Sequence, residues 1–283
     1  MVRERIADDI YVFRSRRYAQ VTAGAIITKE GVILIDTLFY PDETEAIRDF
    51  LEVRLGQRIR YVINTHYHAD HTIGSFFFPY TQIIGHKLCR ELLDTKGREG
   101  LAQTQAQNAE FEGIQVVLPD IVFDEGQFNL YLGGKTIQLL HLPGHSDDLI
   151  GAFVLNDRIL FASDTAMPVP TLFDGNYDDL VASMHTMLDL SPESVVQGHG
   201  DVILRGEVKS LIESDLEYLK TIKTKVIKLI KAGKPASALA GISIESCGKS
   251  RIPLNGFVTD LHHANLVKLY HEWSANGAAS SLA

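Results

Sequence analysis

Apolar residues along this chain come in short runs separated by glycines and single acidic residues, and the runs fall into two groups. The first opens with Ile10-Tyr-Val-Phe-Arg14, continues from Ala19 to Ile27, turns at Lys29-Glu-Gly31 and ends with Val32-Ile-Leu-Ile35 before Asp36. Runs of this kind, rich in β-branched and aromatic residues and bounded by turn formers, predict strands. Helix is predicted from about Asp42 to Arg54. A further strand ends at Asn64, a short one covers Gln82 to Ile84, and helix resumes from about His86. From Thr95 to Glu112 the chain is polar and glutamine-rich, and no single conformation is assigned to it. The second group of strands runs from Ile121 through Val196, interrupted by helix near Tyr177 to Leu188.

Beyond Arg205 the period changes. Ile212, Leu216, Leu219, Ile222, Val226 and Ile230 recur at three- and four-residue steps until Gly233 and Pro235, which predicts an amphipathic helix with its stop signals. The remainder to Trp273 reads as a second helix carrying His262, His263 and His271, expected at surface or capping positions. Residues Ala275 to Ala283 are expected to fray. Two similar halves predict an α/β fold in which two sheets pack face to face between helices. Residues 1–208 are expected to form this sandwich and 209–283 a helical extension packed on the same domain. With 283 residues and 45% hydrophobic content, the chain can build a core of that size.

The candidate chemistry sits at the ends of these runs. Thr65-His-Tyr-His-Ala-Asp-His71 follows the run Tyr61-Val-Ile-Asn64 and packs four nitrogen or oxygen donors, His66, His68, Asp70 and His71, into six residues. Three later candidates also close apolar runs: His145 in Leu-Pro-Gly-His-Ser, Asp164 in Phe-Ala-Ser-Asp-Thr, and His199 in Gln-Gly-His-Gly. Glycines beside His145 and His199 permit tight turns that aim an imidazole back over a sheet edge. Imidazole and carboxylate donors suit zinc, with iron or manganese as alternatives. Asp36 and Thr65 are read as groups that hold ligand imidazoles in one tautomer. Two divalent ions sharing a water can lower its pKa from about 15.7 to about 7 and so supply hydroxide to attack a carbonyl. Asp70, a carboxylate beside that water, is read either as a ligand alone or as one that also orients the water and carries a proton to the leaving group.

The order His-x-His-x-Asp-His, Gly-His, Ser-Asp and Gly-His-Gly, spread over roughly residues 10 to 205, resembles the metallo-β-lactamase fold superfamily. The resemblance implies a four-layer αβ/βα sandwich. It also implies that His66, His68 and His145 hold one metal, Asp70, His71 and His199 the other, and that Asp164 bridges them. Aspartate in the Phe161-x-x-Asp164-Thr165 context is closer to the hydroxyacylglutathione hydrolases and lactonases than to the antibiotic-degrading enzymes. The expected activity is binuclear hydrolysis of an ester, thioester, lactone or lactam bond in a small molecule. Iron-dependent oxidation of a sulfur substrate on the same fold, and nucleic-acid processing, are the alternatives.

Composition narrows these. A formal net charge of −9 counts against a nucleic-acid partner, because phosphate-backbone binding rests on clustered Lys and Arg. Lys220, Lys223, Lys225, Lys228 and Lys231 do cluster, but at the spacing of a solvated helix face. Cys89 and Cys247, the only cysteines, are far apart and read as thiols rather than a disulfide. No stretch has the apolar length of a membrane span and the N-terminus lacks a signal-peptide core, so no membrane association and a cytoplasmic location are expected. The oligomeric state is left open, with a homo-oligomer among the outcomes. Phe76-Phe-Phe78, Met167, Phe173 and Tyr177 are candidate walls for a substrate pocket, the phenylalanine triplet being read first as core.

Overall fold

The computed structural model describes residues 1–275 of the chain, so most of the segment expected to fray lies outside the described residues. Among the described residues twelve strands form two sheets. The first sheet takes β1 (Val2–Ala7), β2 (Ile10–Arg14), β3 (Thr22–Thr28), β4 (Gly31–Ile35), β5 (Ile59–Ile63), β6 (Gln82–His86) and β7 (Ile121–Phe123) in that spatial order. It is antiparallel up to β4 and parallel from β4 through β7. The second takes β8 (Gln127–Leu132), β9 (Lys135–His141), β10 (Ile150–Val154), β11 (Ile159–Ser163) and β12 (Ser194–Gln197), antiparallel except for the parallel β11–β12 pair. Helix α1 (Pro41–Arg48), whose helical path runs on through Asp49–Arg54, α2 (Ala69–Thr72), α3 (Lys87–Leu92) and α4 (Arg98–Gln107) follow β4 to β6. Helices α5 (Tyr177–Leu190), α6 (Val208–Lys231) and α7 (Val258–Ala275) belong to the second half.

Strand periodicity explains the layering. In β2 and β4, Ile10, Val12, Ile33 and Ile35 point between the sheets, where they meet Ile150 and Phe161 of the second sheet. Their neighbours Phe13, Val32 and Leu34 point outward onto Ile47, Phe50 and Leu51 of the α1 region. Strands buried on both faces read as continuous apolar runs rather than alternating ones. Gly24 of β3 lets the sheets approach, since a Cβ there would stand 2.1 Å from the Phe161 ring. The outer face of the second sheet is covered by α5, α6 and α7 in one apolar cluster that joins Leu140 and Leu160 to Leu180, Leu219 and Leu266. The architecture is the expected αβ/βα sandwich with C-terminal helices.

Several details depart from the sequence expectations. Val2–Ala7 is an edge strand whose mostly polar, half-exposed pattern hid it. Ala19 and Gln20, expected to begin a strand, have left-handed backbone (φ 40° and 53°), and β3 starts at Thr22. The reason is a tertiary contact: the Ala19 carbonyl accepts from His199 Nδ1 and the Gln20 carbonyl from the Gly200 backbone N–H, so the loop is pinned to the turn after β12. The polar segment from Thr95 contains α4. His262, expected near the surface, is buried and joins two helices: its Nε2 donates to the Ile242 carbonyl and its Nδ1 accepts from the Tyr218 hydroxyl. Cys89 and Cys247 are both buried free thiols. No helix among the described residues is long and apolar enough to cross a membrane.

Candidate metal centre

All seven candidate ligands converge where β5, β11 and β12 end and the β9–β10 connection turns. His66 and His68 leave β5, and the backbone N–H between them, that of Tyr67, donates to Asp148 Oδ2 at 2.7 Å. Asp70 and His71 sit on the single turn of α2, so residues that follow one another in sequence point into one space. Asp164 follows Ser163, whose left-handed backbone (φ 47°) turns the chain at the end of β11. Gly198 then passes so close that a Cβ there would meet Asp164 Oδ1 at 1.7 Å and its backbone nitrogen at 2.8 Å. Only glycine fits before His199.

Three clusters of donor atoms result: His66, His68 and His145; Asp70, His71 and His199; and His66, His71 and Asp164. Asp164 lies between the first two. Its Oδ2 is 3.3 Å from His145 Nε2 and 3.4 Å from His199 Nε2, while Oδ1 is 3.3 Å from His71 Nε2. Asp70 Oδ2 is 3.4 Å from His199 Nε2.

The outward nitrogen of each imidazole has an acceptor. His71 Nδ1 donates to Asp36 Oδ2, His145 Nδ1 to the Thr171 carbonyl and His199 Nδ1 to the Ala19 carbonyl. His66 Nδ1 faces the Thr65 hydroxyl, which itself donates to Asp36 Oδ2, and His68 Nε2 lies 3.4 Å from Asp174 Oδ2. Each pairing places the proton on the outer nitrogen and turns a lone pair inward. The consequence is visible in the first cluster, where His66 Nε2 and His145 Nε2 approach His68 Nδ1 to 2.9 and 3.1 Å. Three lone pairs at that range repel unless a cation lies among them. His71 Nε2 and Asp164 Oδ1 are buried without a hydrogen-bond partner, which such a cation also resolves. The donor set therefore fits metal ions.

Electrostatics divide the centre in the same way. Burial, followed by the neighbouring imidazoles, holds His66 and His68 well below the ordinary histidine value, and burial lowers His145. Burial acts in that direction on His71 and His199 too, but Asp164 and Asp70, with Asp36 at His71, outweigh it and raise both. Asp164, which burial alone would raise, is held well below the carboxylate range by His199, His71 and His145. Neutral imidazoles ready to ligate thus stand beside a half whose carboxylates attract positive charge.

The centre forms the floor of a cavity of about 610 Å³. Met167 and Phe173 line it, as expected, whereas Tyr177 packs on Trp273 and the Phe76–Phe78 triplet packs in the core. Tyr18, Phe39 and the α4 face bearing Gln103 and Gln107 also line it, and sequence reasoning missed them. A signal was present: Gly97, Gly100, Gln103 and Gln107 recur at helical steps of three and four. The Tyr18 phenol, raised to about 12 by Asp70, burial and Asp164, stays protonated above the centre.

The metallo-beta-lactamase superfamily model matches residues 16–224, well over half of the chain. The chain belongs to this superfamily. It is similar to the beta-lactamase-like protein 2 homolog of Caenorhabditis elegans, 26% identical over 201 residues that make up 70% of this chain and 61% of that protein. It is also similar to a hydroxyacylglutathione hydrolase of Rhizobium etli, 23% identical over 184 residues, 64% of each chain. The chain thus spans a little over three fifths of these relatives' lengths. The crystal structure of a metallo-beta-lactamase family protein from Thermus thermophilus shares the fold, with a TM-score of 0.71 at 17% identity over 97% of this chain and 96% of that one.

Proposed function

We propose that this chain is a binuclear metal-dependent hydrolase that cleaves an ester, thioester, lactone or lactam bond of a small molecule. The observation that carries the reading is Asp164, set between two complete three-residue clusters, with oxygens within 3.4 Å of a histidine from each. His66, His68 and His145 would hold one divalent ion, Asp70, His71 and His199 the second, and Asp164 both. Zinc suits this set of imidazoles and carboxylates. Bound there, such ions supply a water acidic enough to be hydroxide near neutral pH and a Lewis acid for the carbonyl oxygen.

The chain's own residues do the rest. Asp70 lines the cavity beside His199, where its carboxylate orients the attacking water and carries a proton to the leaving atom. Tyr18 lines the same space and offers its phenol as a hydrogen-bond partner to the substrate. No serine or cysteine nucleophile is needed. A single-iron oxidation leaves the Asp70, His71 and His199 cluster without a purpose. A phosphate-backbone substrate meets one lysine, Lys96, and no arginine among the described residues that line the cavity. The relative named as a hydroxyacylglutathione hydrolase supports the hydrolytic reading. Replacing Asp164 by Ala is expected to lower metal content and ester turnover together. A variant that loses metal and keeps full turnover would contradict the proposal.

A further inference from the structure

The walls of the cavity differ from its floor. Helix α4 presents Gln103, Thr104 and Gln107 to it, with Gly100 one turn earlier on the same face and Gly97 just before the helix begins. Gly100 has open space where a Cβ would stand, so this wall is recessed as well as polar and uncharged. The C-terminal segment supplies a different surface, Leu254, Phe257 and Leu261. Leu254 and Asn255 both adopt left-handed backbone (φ 52° and 56°), a conformation unfavourable for leucine that is held by its surroundings. This turn buries Leu254 and brings Phe257 to the rim.

The rim is apolar where a surface is ordinarily polar. Phe173 is 61% exposed, Phe257 45% and Tyr18 40%, and all three line this one cavity together with the less exposed Phe39 and Met167. Large apolar side chains gathered at the mouth of a cavity mark a ligand surface rather than chance exposure. Lys96 is already engaged: its ammonium lies 3.7 Å from Asp174 and 5.5 Å from the Tyr67 ring centroid. A substrate carrying several carboxylates or phosphates finds no further lysine or arginine among the described lining residues.

Resting on the hydrolase reading above, we propose that the substrate is an uncharged ester or thioester carrying a large apolar group next to the scissile carbonyl. That group packs against Phe39, Phe173, Leu254 and Phe257. Gln103 and Gln107 hydrogen-bond neutral amide or hydroxyl functions on its other edge. A glutathione thioester, with its two carboxylates, is a poor match to this wall.

The test uses the full chain loaded with zinc and two series of neutral esters, one lengthening the acyl group from acetyl to decanoyl, the other lengthening the alcohol. In at least one series kcat/KM should rise about threefold per methylene until the cavity is filled. Calorimetry should show 2-decanone binding several hundredfold more tightly than 2-butanone, about threefold for each of six methylenes. Phe257→Ser should shrink that gap about tenfold at unchanged zinc content. Flat efficiencies in both series, or equal binding of the two ketones, would overturn the substrate class and leave the hydrolase reading standing. Absence of turnover across both ester series and a parallel panel of thioesters, lactones and lactams would overturn the hydrolase reading instead, while the ketone comparison still decides whether the cavity is an apolar binding site.

Discussion

Oδ2 of Asp36 lies 2.8 Å from Nδ1 of His71, and the same carboxylate accepts from the backbone N–H and the hydroxyl of Thr65. One buried acid thus fixes the tautomer of a candidate ligand and, through Thr65, orients His66. Asp36 itself has left-handed backbone (φ 56°), which asparagine tolerates. Asp36→Asn places an amide N–H against His71 Nδ1 and so favours the tautomer that points a proton at the centre. Zinc affinity should fall roughly 10- to 100-fold with the fold intact, as measured by competition with a chelator. Unchanged affinity would remove Asp36 from the account.

Gly198 gives a test of backbone geometry. A methyl group there collides with both Oδ1 and the backbone nitrogen of Asp164, and backbone cannot swing aside as a flexible side chain can. Gly198→Ala should displace Asp164, lower zinc content at least about tenfold and cost about 1–3 kcal/mol of stability. Elemental analysis and denaturant unfolding read the two effects separately.

Asp148 predicts a pH dependence of stability. Burial pushes its carboxyl up to about 6 from the ordinary 3.8, with the nearby Ser146 and Cys89 opposing that shift. Its folded value lies above its unfolded one, so the folded state binds the proton more tightly. The resulting stabilisation is complete below about pH 4 and is lost as pH rises through 6. The stability of the wild-type chain relative to Asp148→Asn should therefore fall by about 2–3 kcal/mol between pH 4 and pH 6.5. Urea unfolding of both proteins across that range checks it, and a constant difference would contradict the assignment.

Asn265 ties α7 to the loop that carries Phe173. Its side-chain oxygen accepts from Leu172 N–H at 2.8 Å and its Nδ2 donates to the Pro170 carbonyl at 2.7 Å. Asn265→Ala leaves two buried backbone groups without partners and should cost about 2–4 kcal/mol, seen as a lower urea midpoint. A variant as stable as the wild type would show that water replaces the amide.

The two sheets were legible because strands buried on both faces print continuous apolar runs, as Val32 to Ile35 does. The seven donors were legible because each closes such a run, with a glycine or serine beside the later three. Other features were set by contacts between distant residues. Ala19 and Gln20, the residues after Tyr18, read as the start of a strand, yet hydrogen bonds to His199 and Gly200, 180 positions away, bend them over the centre. Helix α4 turns a polar face to a cavity, so its pattern carries no apolar stripe. His262 looked like a surface histidine because nothing nearby in sequence announces its partners, Tyr218 and Ile242.

The most direct test of the central claim is metal stoichiometry and ester hydrolysis measured on one preparation, before and after chelation. About two divalent ions per chain are expected, with loss of turnover when they are removed and its return with zinc. One iron per chain with oxygen consumption, or full hydrolysis by the stripped protein, would contradict that claim.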